Sequence, residues 1–216
     1  MVFFPVIGAA LGLLEGVLWS GARRTWPALP AAAIIVSADA ALTGALHLDG
    51  LADTADGLFA HVPKKDRLEI MAEPEVGTFG TVAVVISVVS RVAALNSIEP
   101  TPALLAALSC CSRSLMVLGS RVLPYAREAG LATPFLPAGD GPDPALRAAI
   151  GGITGSVLVA GLAHGRRGVL GIVAGSAAGA AVLLAARRRL GGFTGDVLGA
   201  AGMACETVGL VVSARR

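Results

Sequence analysis

Residues 168–186 read GVLGIVAGSAAGAAVLLAA, a charge-free run built almost wholly from Gly, Ala, Val and Leu. About 20 apolar residues rising 1.5 Å each cross the hydrocarbon core of a bilayer as one helix. The small side chains let a neighbouring helix backbone approach closely, which is how membrane helices pack. Similar runs lie near 2–20, 27–47, 79–98, 102–120, 146–164 and 197–213. The whole chain follows the same bias, with 216 residues, 55% hydrophobic, 15% charged and 4% aromatic, and a mean hydropathy of +0.75. Soluble domains carry about 25% charged residues. The composition therefore predicts an all-α fold, a polytopic transmembrane helical bundle of about six to seven spans, in one domain over residues 1–216. Disorder, a disulfide scaffold (three Cys) and nucleic-acid binding (net charge +2) are poorly supported.

The N-terminal Met-Val-Phe-Phe-Pro lacks the basic start of a signal peptide, so this run reads as a span embedded in the lipid bilayer. Cys110, Cys111 and Cys205 sit in apolar runs without metal or redox spacing and read as small buried hydrophobes. The connectors are unequal. Residues 21–26, 99–101 and 165–167 are short; 48–78, 121–145 and 187–196 are long and hold most polar side chains. Pro124, Pro134, Pro137, Pro142 and Pro144 make the second long connector irregular. Seven spans put the three long connectors on one face. Lys64, Lys65, Arg67, Arg121, Arg127, Arg147, Arg187, Arg188 and Arg189 fall there. Arg23, Arg24, Arg166, Arg167, Arg215 and Arg216 fall on the other. The positive-inside rule assigns the long connectors to the cytoplasm. The small-residue spans permit homo-oligomerisation without demanding it.

The polar signal is densest at His47-Leu48-Asp49-Gly50-Leu51-Ala52-Asp53-Thr54-Ala55-Asp56-Gly57. On a helix Asp49, Asp53 and Asp56 fall within roughly 60° of one another, on one stripe. Three carboxylates so placed repel unless a cation sits among them, and Mg²⁺ is held by a few carboxylates together with substrate phosphates. The stripe predicts a Mg²⁺–diphosphate site at the mouth of the bundle; a solvated acidic helix end is the plainer alternative. His47 is either an interfacial hydrogen-bonding residue or a group that orients a carboxylate or moves a proton.

Gly191-Gly192-Phe193-Thr194-Gly195-Asp196 forms a second signal. Its glycines and Thr allow backbone N–H groups to approach a phosphate at a helix N-terminus, and Asp196 can add a metal ligand. A C-cap, a turn and an Asp N-cap satisfy the same string. Glu73-Pro74-Glu75-Val76-Gly77-Thr78-Phe79-Gly80 reads best as a turn and a helix start, and Lys64, Lys65 and Arg67 as topogenic charges. Charges at mid-span cost about 2.5–3.5 kcal/mol each on insertion scales. Glu15, Asp39, Arg91, Arg113 and Glu206 therefore need partners. Asp39–Arg91 and Glu15–Arg113 are the expected pairs, and Arg113 or Glu206 alternatively faces the cavity under the Asp cluster.

The run His47–Gly57 resembles the signature of the cobalamin synthase family, the membrane-bound adenosylcobinamide-GDP ribazoletransferases. Other pieces agree in order: Phe4-Pro5-Val6-Ile7-Gly8, Val76–Gly80, Ser112-Arg113 with Tyr125-Ala126-Arg127-Glu128-Ala129-Gly130-Leu131, and Gly191–Ala200. The resemblance covers nearly the whole chain. It departs where the family has an Asp-Ser-Arg-like triplet and this chain reads Glu73-Pro74-Glu75. In the last span Met203 stands where relatives often have a second acid beside Glu206. Relatives also extend further before the Phe-Pro motif, so a shortened N-terminus is expected.

The resemblance implies an enzyme of the bacterial cell membrane that uses Mg²⁺ on its cytoplasmic face. In such enzymes α-ribazole or its 5′-phosphate attacks adenosylcobinamide-GDP, and GMP leaves. It assigns Asp49, Asp53 and Asp56 to Mg²⁺ and diphosphate, and Asp196 to the metal or to the attacking hydroxyl's proton. Thr194 and Gly195 then bind phosphate, with His47, Arg113 and Arg127 as further substrate-binding residues. The rivals are another Mg²⁺-dependent membrane transferase (a CDP-alcohol phosphotransferase or a prenyltransferase) and a non-enzymatic corrinoid transporter or scaffold. The Ala-Arg order of the first and the second Asp-rich cluster of the next are missing from this sequence. A transporter places its site at mid-membrane, whereas the polar motifs here gather at one face.

Overall fold

The structure, a computed structural model, describes residues 1–127, 133 and 143–215. The proline positions 134, 137 and 142, the motif residues 128–131 and Arg216 lie outside the described residues. Eight helices are present among those described: α1 (Phe4–Thr25), α2 (Ala28–Leu42), α3 (Leu46–Phe59), α4 (Lys64–Ile70), α5 (Thr78–Ser97), α6 (Pro102–Val122), α7 (Pro144–Arg189) and α8 (Gly195–Ser213).

Five of these are long and apolar enough to cross a membrane, and α2 with α3 makes a bent pair that passes the same test only when the two are taken together. The longest, α7, is not straight. Gly165 has φ 60° and ψ −149°, a conformation open to glycine alone at little cost. Beyond it the chain doubles back: Gly168 lies against the Ala160 carbonyl, which a straight helix would hold about 12 Å away. Residues 144–164 and 166–189 are thus two antiparallel passes, which keeps the count within the about six to seven spans expected.

Small residues set the helix spacings. Along α1, Gly8, Gly12 and Gly16 face the backbones of Ser109, Leu105 and Pro102, so α1 and α6 run antiparallel in direct backbone contact. Gly171, Gly175 and Gly179 on the second pass of α7 do the same against Gly209, Cys205 and Ala201 of α8. Side chains at these positions would force the pairs apart. An apolar core of Trp19, Ile35, Leu95, Leu104, Leu108 and Ile172 fills the bundle toward one end, and Phe193, Val197, Leu198, Met116 and Leu183 fill the other.

The second expected span is shorter than 27–47. It ends at Leu42, because Gly44 and Ala45 take consecutive left-handed conformations (φ 59° and 56°). The next helix, α3, leaves at 87° to α2. It lies across the first turns of α5 and α8, outside the crossing segments: Gly50 meets the Asp196 backbone, His47 meets Gly199, and Ala52 meets Gly80. The carboxylate stripe therefore sits at the end of the bundle where the three long connectors gather.

Candidate active site

Each glycine of the acidic run admits a neighbour. A Cβ at Gly50 would stand 2.8 Å from the Asp196 carbonyl oxygen, so this glycine lets Asp49 and Asp53 ride close over the start of α8. Gly77 and Gly80 do the corresponding work for Asp56. A Cβ at Gly77 would fall 2.5 Å from Asp56 Oδ1. In its absence the Gly77 N–H donates to Oδ2 at 2.8 Å and the Gly80 N–H to Oδ1 at 2.9 Å. Helix α5 has no side-chain cap of its own. Asp56, buried at 8% exposure, supplies one from α3, satisfying two orphan donors and complementing the helix dipole. Val76–Gly80 is thus a turn and a helix start, as read, with a cap borrowed from another helix.

The start of α8 is held by Thr194, fully buried. Its Oγ1 accepts the Val197 N–H at 3.2 Å and its hydroxyl donates to Asp196 Oδ2 at 3.1 Å. Thr194, and not Asp196, is the N-cap. Thr194 is therefore an orienting residue behind the surface, while Gly195 is exposed. Opposite, the loop after α6 is clamped to the loop before α8: the Ala126 N–H donates to the Phe193 carbonyl and the Phe193 N–H to the Pro124 carbonyl, each at 2.9 Å. The Tyr125 and Phe193 rings stack at 5.3 Å. The clamp delivers Arg127 to Asp196, with Nη2 3.2 Å from Oδ2.

A cleft of about 200 Å³ opens here, lined by His47, Tyr125, Arg127, Gly195 and Asp196 on its polar side and by Met1, Phe4, Leu46, Met116 and Leu198 on its apolar side. The apolar wall and Tyr125 had no assigned role in the sequence. Phe4 stands in one of the quoted motifs, but only folding brings it beside Leu46. Burial, and then the carboxylates of Asp49 and Asp196, push the Asp53 carboxyl up to about 6, against the pull of Arg127. Three oxygen-ligand side chains thus share a negative field, and hard-cation chemistry fits that donor set. No three His, Cys, Asp or Glu side chains among the described residues converge into a ready-made metal cage.

The mid-span charges pair among themselves. Arg91 Nη1 donates to Asp39 Oδ2 at 2.5 Å, as expected, and its Nη2 lies 3.6 Å from Glu206 Oε2. The second expected pair is not formed. Arg113 bonds Glu206 Oε1, and Glu15 faces a small interior cavity with Arg91 and Glu206. The reason is register: α1 packs on α6 with Gly8, not Glu15, beside Arg113. Arg113 is 4% exposed and sits beneath the large cleft, where its Nη2 reaches His47 Nδ1 at 3.4 Å. Burial, and then this guanidinium, hold the His47 imidazole below its ordinary value.

Arg67, between α3 and α5, and Arg189, at the end of α7, do more than face lipid headgroups. Arg67 Nη1 donates to the Gly57 and Leu58 carbonyls at 2.7 and 2.8 Å, and Arg189 to that of Leu58. These bonds close the C-terminal end of α3 and fix the stripe in place.

The family model described as cobalamin-5-phosphate synthase matches residues 1–214. An adenosylcobinamide-GDP ribazoletransferase of Shigella boydii serotype 4 (strain Sb227) is 36% identical over 206 residues, 93% of this chain and 81% of the relative. The protein of the same name from Escherichia coli O17:K52:H18 (strain UMN026 / ExPEC) is also 36% identical, and that of Shigella dysenteriae serotype 1 (strain Sd197) is 35% identical, each with the same coverage. No solved structure matches the chain.

Proposed function

The chain belongs to the cobalamin-5-phosphate synthase family, and from that premise we propose that it joins adenosylcobinamide-GDP to α-ribazole or its 5′-phosphate, releasing GMP. A ribazole hydroxyl oxygen forms a bond to the cobinamide-side phosphorus, the bond from that phosphorus to GMP breaks, and the hydroxyl proton passes to the protein. The products are adenosylcobalamin, or its phosphate, and GMP.

The chain's own residues have distinct tasks in this reading. Asp49 and Asp53 would hold Mg²⁺, an ion ordinarily bound through a few carboxylates plus substrate phosphates. When bound, the ion supplies charge neutralisation for the diphosphate and orients it. Asp196 receives both the Thr194 hydroxyl and Arg127 on Oδ2; Oδ1, which has no hydrogen-bond partner among the described residues, takes the ribazole proton. Arg127 offers its remaining donors to the phosphates. The apolar wall of Phe4, Leu46, Met116 and Leu198 takes the hydrocarbon faces of the substrates. Asp56 acts through α5, keeping the stripe in register.

The reading is carried by one observation: the Asp196 carboxylate of α8 meets the Arg127 guanidinium on the wall of a cleft, within the electrostatic reach of Asp53 of α3, at one end of a membrane bundle. The excess of Lys and Arg at that end supports a cytoplasmic orientation in the cell membrane. The test is GMP release by membranes containing the protein, given adenosylcobinamide-GDP and α-ribazole with and without Mg²⁺. Mg²⁺-dependent GMP with matching adenosylcobalamin is expected. Correctly inserted protein that releases no GMP, or that moves corrinoid without cleaving it, overturns the reading.

A further inference from the structure

The ionic groups inside the bundle form an unbroken chain that ends on the candidate active site. Asp39 holds Arg91, Arg91 reaches Glu206, Glu206 holds Arg113, and Arg113 reaches His47. The first four are buried, with exposures of 5%, 7%, 6% and 4% in that order. Ser109 adds a donor to Glu206 Oε1 at 3.3 Å, and the Arg113 guanidinium also contacts Ser112 Oγ at 3.3 Å. Such groups are costly within a membrane and mark function more often than stability. Structural pairing alone would be met by Asp39 with Arg91 and Glu206 with Arg113. It leaves unexplained why the chain continues to a histidine on the wall of the substrate cleft.

The chemistry of the last link is one-sided. A guanidinium carries five N–H donors, no acceptor, and stays charged. The imidazole nitrogen facing it must therefore be the bare acceptor, and the ring's single proton is on the other nitrogen. The ring makes no other hydrogen bond among the described residues, and its far edge, at Cδ2, lies near Gly199 at the start of α8.

We propose that Glu206 and Arg113 are positioning residues that lock His47 as the Nε2–H tautomer, making it a hydrogen-bond donor to a substrate phosphate oxygen. This rests on the function proposed above and adds a role to that site. The motif histidine and the two acids and bases buried at mid-membrane then belong to one device. Glu206 fixes the guanidinium, the guanidinium fixes the tautomer, and the tautomer presents a donor on the cleft wall.

Two experiments test it. The full chain carries three histidines, His47, His61 and His164, so ¹⁵N-histidine spectra of the detergent-solubilised protein can be assigned with His47→Gln as reference. The expected result is a bare Nδ1 and a protonated Nε2 for His47; the opposite tautomer overturns the proposal, whatever the catalytic activity. In the GMP-release assay Arg113→Met is expected to lower kcat about 10–100-fold, the range for orienting partners, with KM changed less than about threefold. Arg113→Lys, which keeps a charged donor, should recover part of kcat. His47→Gln, which keeps a side-chain donor, should outperform His47→Ala. Equal activities of the Met and Lys variants, or of the Gln and Ala variants, overturn it. Absence of GMP from the wild type would refute the proposed function and leave the tautomer result standing.

Discussion

Replacing Asp56 by Asn separates a structural carboxylate from a metal-binding one. In the folded chain both oxygens of Asp56 accept first-turn N–H groups of α5, at 2.8 and 2.9 Å. Hydrogen bonds to a charged acceptor contribute about 1.5–3 kcal/mol each. Asn keeps one oxygen, now neutral, and turns an NH₂ toward the other donor. The Gly80 bond is buried, so water cannot replace it. One bond weakened by about 1 kcal/mol and one lost at about 2 kcal/mol give a destabilisation of about 3 kcal/mol. For a chain of this size that lowers Tm by roughly 6–12 °C. The assay is thermal unfolding in detergent, paired with a Mg²⁺ titration of GMP release below the melting range. The expected variant melts early but needs the same Mg²⁺ concentration as wild type. A variant with wild-type Tm and a raised Mg²⁺ requirement would refute the capping argument and return Asp56 to the metal.

Asp53→Asn should behave oppositely, losing turnover at least about 100-fold while melting at or above the wild-type temperature, since its carboxyl is pushed up to about 6 and removing the charge relieves repulsion; GMP assays and thermal scans on the same preparation check both. Because that folded-state value lies above the ordinary one, the stability Asp53 contributes is present below about pH 4 and is lost as pH rises through about 6. Protons and Mg²⁺ compete for the same carboxylate, so the Mg²⁺ concentration for half-maximal activity should climb as pH falls through 6, and a Mg²⁺ requirement flat from pH 5 to 8 refutes this. Arg91→Met strands Asp39 without its 2.5 Å partner and should cost about 3–5 kcal/mol, read as lost yield of folded protein and a lower Tm.

Much of the architecture is written locally. Runs such as 168–186 carry no charge and many small residues, and a bilayer accepts such runs as helices because every backbone group must bond within the segment. Periodicity put Asp49, Asp53 and Asp56 on one stripe, and α3 keeps them there. The Gly191–Asp196 string announced a helix start, although Thr194 rather than Asp196 turned out to cap it. The 87° break between α2 and α3 was not legible, since nothing in Thr43-Gly44-Ala45 requires Ala45 to accept a left-handed conformation unless packing against α5 and α8 imposes it.

The sequence by itself therefore determined the class of fold, the approximate number of crossings, the end at which polar motifs collect and the family to which they belong, because these depend on composition, period and order. Tertiary structure decided partnership. Glycine at 50 admits the Asp196 backbone and glycines at 77 and 80 admit the Asp56 carboxylate, so Asp56 became the cap of α5 and Asp53 the neighbour of Asp196. The register of α1 on α6 set Gly8 beside Arg113 and left Glu206 as its counter-ion in place of Glu15. Such pairings join residues far apart in the chain, as between Gly50 of α3 and Asp196 of α8. They depend on how closely helices approach, which no local run of sequence encodes.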